Sequence, residues 1–161
     1  MLRGYITNYG KYNEGQLIGK WIDFPISKDE LEEVKKSIGI NEQYEEWFFT
    51  DWESDICDPQ LGECEDIDDI NELAKDLEME NSEIIAAIVE ATKVDIIQAL
   101  NMVDDVVFYE NMTLEDVAYN LMEECYELPE IAQRYFDYAA FARDLGFDGY
   151  TEVSNGVIYR G

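Results

Sequence analysis

Alternating apolar and polar residues mark three β-prone runs near the start of the chain. GYITNYG (4–10) and QLIGKWIDF (16–24) flank the turn-forming residues KYNEG, so this pattern predicts a β-hairpin. EEWFFTDW (45–52) has a similar composition and predicts a strand that returns to the hairpin.

A helix is predicted between the second and third of these runs. Ser27 and Glu30 have the spacing of a capping box immediately before LEEVKKSI. Gly39 then suits the residue that follows a helix C-terminus. Together with the strands, this helix predicts a small α+β unit over residues 1–60.

The middle of the chain has the spacing of amphipathic helices. The first helix of this region contains Ile67 to Leu77, and a second is predicted from Asn81 or Ser82 through NSEIIAAIVE. TKVD (92–95) has the pattern of a cap for a third helix that runs to about Val103. We expect a helical unit over residues 61–103. The apolar stripe of its first helix comprises Ile67, Ile70, Leu73, Ala74 and Leu77.

The last part of the chain begins with a predicted strand, VVFYE (106–110). Thr113 and Asp116 are spaced to cap the helix that follows. The apolar stripe of this helix comprises Leu114, Val117, Ala118, Leu121, Met122 and Cys125.

After Pro129, EIAQRYFDYAAFARDLG (130–146) predicts one further helix, and YTEVSNGVIY (150–159) predicts a hairpin around Asn155-Gly156. These elements form a predicted α+β unit over residues 104–161. The expected fold class is therefore α+β, as an elongated chain of three small units in the order α+β, helical, α+β.

The charge of the chain is unusual and concentrated in one region. The 161 residues include 38 acids, 11 lysines and arginines and no histidine, for a net charge of −27. Residues 1–41 contain six acids and six bases, whereas residues 42–130 contain 28 acids and two bases, a net charge of −26. Such a surface repels nucleic acid and anionic membranes, so we expect a basic partner.

Metal binding and catalysis are poorly supported by these acids. DWESDICDPQLG (51–62) starts like a calcium loop but has Ile56 at the sixth position and Gly62 at the twelfth. The three cysteines match no common zinc-finger spacing, and their odd number argues against a disulfide framework. Histidine and glycine-rich phosphate loops are absent from the sequence. We expect no metal, no cofactor and no catalytic residue.

Membrane association is also not expected. No apolar run in the sequence approaches the length of a membrane span, and MLRGYITNYG lacks the hydrophobic region of a signal peptide. The expectation is a soluble, intracellular protein with reduced thiols.

Imitation of DNA phosphates explains the concentration of acids better than solubility does. Carboxylates on one helix face recur about 5–6 Å apart. A net charge of −26 equals that of about 13 base pairs, which span about 44 Å. The predicted phosphate surrogates are Asp51, Glu53, Asp55, Asp58, Glu63, Glu65, Asp66, Asp68, Asp69, Glu72, Asp76, Glu78, Glu80, Glu83, Asp104, Asp105, Glu115, Asp116, Glu123, Glu124 and Glu127.

Two segments, NYGKYNEGQLIGKWIDFPI and LPEIAQRYFDYAAFARDL, resemble those of ArdA-type antirestriction proteins. The resemblance extends over nearly the whole chain. It implies a cytoplasmic, elongated, dimeric DNA mimic encoded on mobile genetic elements. Such a protein occupies the basic DNA-binding groove of the methyltransferase core of type I restriction-modification enzymes.

The residues that carry this resemblance lie in two motifs. This chain has Ala139 and Ala140 where the family pattern has an acid beside the second tyrosine of the C-terminal motif. For the matched residues we expect roles in the core, turns or dimer contacts, with residues 135–147 at or beside the dimer interface. The N-terminal motif matches at Tyr12, Asn13, Gly15, Leu17, Gly19, Trp21 and Pro25, and the C-terminal motif at Tyr135, Asp137, Tyr138, Arg143, Asp144 and Leu145.

The sequence therefore supports a non-enzymatic inhibitor that competes with DNA for type I restriction-modification enzymes. One alternative is an acidic binding module for another basic DNA-binding protein, such as a nucleoid protein or a repressor. A metal-dependent hydrolase is the third hypothesis. The restriction systems inhibited, and whether modification is blocked as well as restriction, stay open at this point.

Overall fold

Two three-stranded antiparallel sheets and eight α-helices form the described part of the computed structural model, which covers residues 1–125 and 127–161. These residues divide into two compact units. The first comprises Met1–Ser82 with Asp95–Ile97, and the second comprises Glu83–Val94 with Gln98–Gly161. The α+β class is confirmed, while the elongated arrangement of three units stays a prediction.

The first sheet has the strand order β2-β1-β3, where β1 is Leu2–Asn8, β2 is Gly19–Phe24 and β3 is Trp47–Ser54. All three predicted strands are confirmed. The link between β1 and β2 is more than the predicted turn, because it contains a short helix, α1 (Tyr9–Asn13). Asn8 ends β1 and caps α1, since its side-chain oxygen accepts a hydrogen bond from the Lys11 backbone N–H at 3.0 Å.

Helix α2 (Lys28–Ser37) forms as its local signals predict. The Ser27 hydroxyl accepts from the Glu30 backbone N–H, and the Glu30 carboxylate accepts from the Ser27 backbone N–H, which completes the capping box. Gly39 follows the end of the helix with a φ of +83°, a conformation that glycine adopts without strain.

The core of the first unit combines the inner face of the sheet with one stripe of α3 (Ile67–Met79). Phe49 is 1% exposed and belongs to this core. The centroids of the Phe49 and Trp52 rings are 4.2 Å apart. The buried apolar side chains of this unit include Leu2, Ile6, Ile22, Phe24, Leu31, Val34, Ile38, Ile70, Leu73, Ala74 and Leu77.

Helices α4 (Ser82–Thr92) and α5 (Ile96–Leu100) are the second and third predicted helices of the middle region. Helix α4 begins where expected. Helix α5 is shorter than predicted, because the chain tightens into a 3₁₀ turn at Val103–Asp105. The Met102 N–H bonds to the Ala99 carbonyl, three residues back rather than four, and this contact ends the α-helical pattern.

The second sheet has the strand order β4-β6-β5, where β4 is Val107–Glu110, β5 is Tyr150–Val153 and β6 is Gly156–Tyr159. The predicted hairpin of β5 and β6 is confirmed. Its two-residue turn is Ser154-Asn155 rather than Asn155-Gly156, because Gly156 already pairs with Val153 as the first residue of β6. A side chain at Gly156 would meet the Tyr109 carbonyl at 2.3 Å.

Helices α6 (Leu114–Cys125) and α8 (Tyr138–Leu145) pack together in the second unit. The predicted stripe of α6 is correct except at Cys125, which is exposed because the buried part of the helix ends one turn earlier, at Met122. The core cluster comprises Val117, Ala118, Ala142, Leu145 and Val157.

One long helix over residues 130–146 was a wrong prediction. The structure has a short helix, α7 (Glu130–Gln133), and then α8. The interruption has a local cause, because the Asp137 carboxylate accepts from the Ala140 backbone N–H at 2.8 Å and so starts a new helix.

Candidate functional site

The predicted acidic residues lie at the protein surface almost without exception. Of the 21 carboxylates proposed from the sequence, 20 are exposed and Glu65 alone is half-buried. They lie on β3 and the loop after it, on α3 and α4, on the 3₁₀ turn, and on α6 and the residues that follow it. Whether these acids contact a partner stays a prediction.

Helix α3 and its N-cap carry several of these acids. Asp66 caps the helix, and its carboxylate accepts from the backbone N–H groups of Asp68 at 2.8 Å and Asp69 at 3.4 Å. Acids in the first turn also interact favourably with the positive end of the helix dipole. The helix therefore begins at the most acidic part of the sequence for a physical reason that the sequence interpretation missed.

The two faces of α3 differ sharply in chemistry. Ile70, Leu73, Ala74 and Leu77 are at most 7% exposed and fix one face against the core. Four exposed acids away from that face are here named the α3 acid face, and none of them forms an ion pair with any described residue. It comprises Asp68, Asp69, Glu72 and Asp76.

The amide of Asn71 fixes the rotation of α3 on the first unit. Its Oδ1 accepts from the Ile26 backbone N–H at 2.6 Å, and its Nδ2 donates to the Ile26 carbonyl at 2.9 Å. This two-way pairing holds the helix to the segment between β2 and α2. The direction of the α3 acid face therefore depends on a polar contact as well as on the apolar stripe.

Several acids around β3 have structural partners. The Glu53 carboxylate accepts from the Arg3 guanidinium, and Asp55 pairs with the amino group of Met1 at 2.5 Å. This contact with the ammonium group lowers the pKa of Asp55. Glu65 is half-buried because its side chain turns back to accept from the Gly62 backbone N–H at 2.7 Å.

The acids of the second unit also divide into paired and solvent-facing groups. Asp116 accepts from the Thr113 backbone N–H and hydroxyl, which lowers its pKa and confirms the predicted cap. Glu123 accepts from the Tyr119 hydroxyl at 2.8 Å. Both of these acids are exposed, as are Asp104, Asp105, Glu115, Glu124 and Glu127.

Contacts within the second unit hold α4 to the β5-β6 hairpin. The Glu90 carboxylate accepts from the Ser154 hydroxyl at 2.5 Å and from the Ser154 backbone N–H at 3.0 Å. These hydrogen bonds lower the pKa of Glu90. Asn155 donates to the Glu83 carboxylate at 2.7 Å, so Glu83 has a structural contact in addition to its proposed role.

Three residues of the N-terminal motif, Tyr12, Gly15 and Gly19, have specific positions in the first unit, whereas Leu17 is 64% exposed. Tyr12 packs edge-on against Phe48, with 5.3 Å between ring centroids. Gly15 has a φ of +81°. A side chain at Gly19 would lie 2.5 Å from the Tyr5 ring, so only glycine fits beneath that ring.

The C-terminal motif combines structural and exposed residues. Asp137 caps α8, Tyr138 packs against Phe136 and Tyr119, and Leu145 is 5% exposed. Tyr135 is 83% exposed. Arg143 and Asp144 are also exposed. Asp137, Tyr138 and Leu145 therefore have contacts within the second unit, and a dimer contact at the exposed residues stays a prediction.

Metal-binding geometry is not found in the part of the chain that the structure describes. There, no three Cys, Asp or Glu side chains converge as a metal site requires, and Cys57, Cys64 and Cys125 are free thiols. Burial raises the pKa of Cys57. The same part of the chain contains no helix with the length and apolarity needed to cross a membrane.

Comparison with known proteins assigns the family. No curated protein matches the chain significantly. The model of the antirestriction protein family ArdA matches residues 4–159, nearly the full length. The chain therefore belongs to the ArdA family of antirestriction proteins.

Proposed function

We propose that the protein inhibits type I restriction-modification enzymes by occupying their DNA-binding groove, with exposed carboxylates in place of DNA phosphates. Membership of an antirestriction family makes a restriction enzyme the partner in general terms. The observation that carries the finer proposal is the α3 acid face, an exposed row of carboxylates without ion pairs among the described residues.

The charge spacing on α3 supports phosphate imitation. Asp68 and Asp76 are eight positions apart, which corresponds to about 12 Å along a helix. Four acids over that length give one charge about every 4 Å, and one DNA strand carries one per about 3.4 Å. Lys75 on the same helix offsets part of this charge.

The mode of binding follows from the chemistry of phosphate contacts. A protein that binds DNA draws affinity from many exchangeable contacts between its lysines or arginines and phosphates. Exposed carboxylates attract the same cations, and the net charge of −26 over residues 42–130 steers association with a basic groove. The proposed partner surface is the groove of the methyltransferase core.

The proposed working form is a homodimer in the cytoplasm, where restriction enzymes meet incoming DNA. Two copies of the acidic region have the charge of about 26 base pairs. The exposed motif residues Tyr135 and Arg143 are candidates for the dimer contact. Small-angle scattering tests this assembly, since an elongated dimer is expected and a compact monomer would contradict it.

Displacement of DNA tests the proposed function. A fluorescent duplex bound to a purified type I methyltransferase core is titrated with the protein, and methyl transfer and cleavage are measured in parallel. A nucleoid protein and a repressor, each bound to its own duplex, form the comparison panel. The proposal expects preferential displacement from the methyltransferase. Equal or stronger displacement from the panel would instead support a general acidic binding module.

A further inference from the structure

The first sheet has a second, partly open face that bears aromatic rings and charged side chains. Alternation along the strands places Leu2, Ile6 and Ile22 in the core and turns their neighbours to the other side. The exposed or half-buried side chains on that other side are here named the outer sheet face, and they comprise Arg3, Tyr5, Trp21, Asp23, Asp51 and Glu53.

Strand pairing orders this face into two neighbouring rows. In the first row, Arg3 of β1 lies between Asp23 of β2 and Glu53 of β3. In the second row, Tyr5 of β1 lies between Trp21 and Asp51. Directly opposed residues of an antiparallel pair have Cβ atoms about 4.5–5.5 Å apart.

Arg3 already shows how this face holds a guanidinium. The Arg3 guanidinium carbon lies 4.8 Å from the centroid of the Trp21 ring. Its Nε donates to the Glu53 carboxylate at 2.8 Å, and its Nη2 donates to the same oxygen. An aromatic ring of β2 and a carboxylate of β3, the two strands that flank β1, therefore hold the guanidinium.

The second row also contains an aromatic ring and a carboxylate, but it contains no lysine or arginine. Tyr5 supplies an aromatic ring, held edge-on to Trp21 at 5.4 Å between centroids. Asp51 supplies an exposed carboxylate directly opposite Tyr5. One Asp51 oxygen accepts from the Trp52 backbone N–H at 2.9 Å, which orients the carboxylate and leaves its second oxygen to accept from a partner.

We propose that the outer sheet face binds arginine side chains of a basic protein partner, with a guanidinium over Tyr5 and paired to Asp51. The three acids of this face exceed its single base, so its charge is complementary to a basic surface. An arginine guanidinium is planar, stacks on aromatic faces and binds carboxylates through two N–H groups. A lysine ammonium has no planar group to stack in this way.

The outer sheet face selects arginine over lysine among the cations of the partner. The identity of that partner, the basic groove of a restriction enzyme, rests on the proposed function, because Asp51 and Glu53 belong to the proposed phosphate surrogates. Helix α3 contains no aromatic residue, so the acids of the α3 acid face have no aromatic ring from their own helix beside them to favour arginine over lysine. The outer sheet face adds a preference for arginine.

Binding of hexa-arginine and hexa-lysine peptides to the full chain tests the inference. The wild type is expected to bind hexa-arginine at least about threefold more tightly at equal ionic strength. Tyr5→Leu and Asp51→Asn are expected to bring the affinity ratio close to one. The matched control, Asp76→Asn, removes an equal charge from an exposed position of the α3 acid face and is expected to weaken both peptides while it preserves the ratio.

The outcomes of this test separate the two proposals. A wild type that binds both peptides equally, or an Asp51→Asn variant that keeps the full preference, would overturn the arginine site. Asp51 is exposed, so its substitution provides a result even if Tyr5→Leu fails to fold. A persistent preference for arginine together with failure to displace DNA from the methyltransferase would refute the proposed function alone.

Discussion

Replacement of Asn71 by leucine is expected to loosen α3 from the first unit. The wild-type amide makes two hydrogen bonds to the backbone of Ile26, at 2.6 and 2.9 Å. Both residues are half-buried. Leucine has the same branched shape and the same number of side-chain heavy atoms, but it neither donates nor accepts a hydrogen bond. The variant therefore removes the polar contact while it keeps most of the packing.

The size of the effect follows from those two contacts. Each hydrogen bond contributes about 1 kcal/mol net to stability, and a partly buried group left without a partner adds to the cost. We expect the free energy of unfolding of the first unit to fall by about 2–3 kcal/mol. For a chain of this size, that corresponds to a midpoint about 5–10 °C lower.

Urea and thermal unfolding followed by circular dichroism measure the change. Glu78→Ala is the matched control, because Glu78 lies on the same helix and is exposed, and substitutions at such positions usually change stability by less than about 0.5 kcal/mol. An Asn71→Leu variant as stable as this control would refute the role of the amide in holding α3.

Three further predictions concern packing, pH and salt. Gly4→Ala places a Cβ 2.8 Å from the Trp52 ring and 2.9 Å from the Phe49 ring, and should lower the free energy of unfolding by about 1–3 kcal/mol in urea titrations. The hydrogen bonds from Ser154 lower the pKa of Glu90, so their contribution to stability is present above the ordinary carboxyl pKa and is lost as pH falls through the lowered value. Glu90→Gln should therefore lower stability at neutral pH and flatten the loss of stability on acidification, which urea midpoints across the acidic range will measure. Raising salt from about 0.02 to 0.5 M should increase the thermal midpoint, because it screens repulsion among the acids, yet weaken inhibition of the endonuclease. A parallel rise or fall of both quantities would contradict this reasoning.

The elements best predicted from the sequence are those with local signals. The capping box of Ser27 and Glu30, the cap of Thr113 and Asp116, and the apolar stripe of α3 all lie within a few positions along the chain. Each signal acts over one or two helical turns, so sequence spacing alone contains the necessary information. The main error, the single helix predicted over residues 130–146, also has a local cause. Asp137 caps a new helix within an otherwise helical pattern.

The contacts that position the site were not predictable in this way. Asn71 lies 45 residues from Ile26, and Arg3 lies 50 residues from Glu53. Such pairs depend on how the sheet and α3 come together, which no local pattern encodes. Exposure of the acids was predictable because charged groups seldom lose water without a partner. The structural contacts of Asp55, Glu65 and Glu90 were not predictable, because they depend on the fold.

The central claim is that exposed acids act together as phosphate surrogates, and a triple neutralisation on the α3 acid face tests it most directly. Asp68→Asn, Asp69→Asn and Glu72→Gln leave the cap residue Asp66 unchanged. The control variant, Asp29→Asn, Glu33→Gln and Asp148→Asn, makes the same change in net charge. Its three positions are exposed acids outside the acidic region of residues 42–130.

Inhibition of a type I endonuclease is measured for the triple variant, for each single substitution and for the control, with folding checked by circular dichroism. Each single change is expected to weaken inhibition less than about threefold, and the triple variant about tenfold, because exposed ionic contacts are individually weak and add together. The control is expected to inhibit as the wild type does. A single substitution that abolishes inhibition in a folded protein, or a triple variant that inhibits as well as the control, would contradict DNA mimicry by this surface.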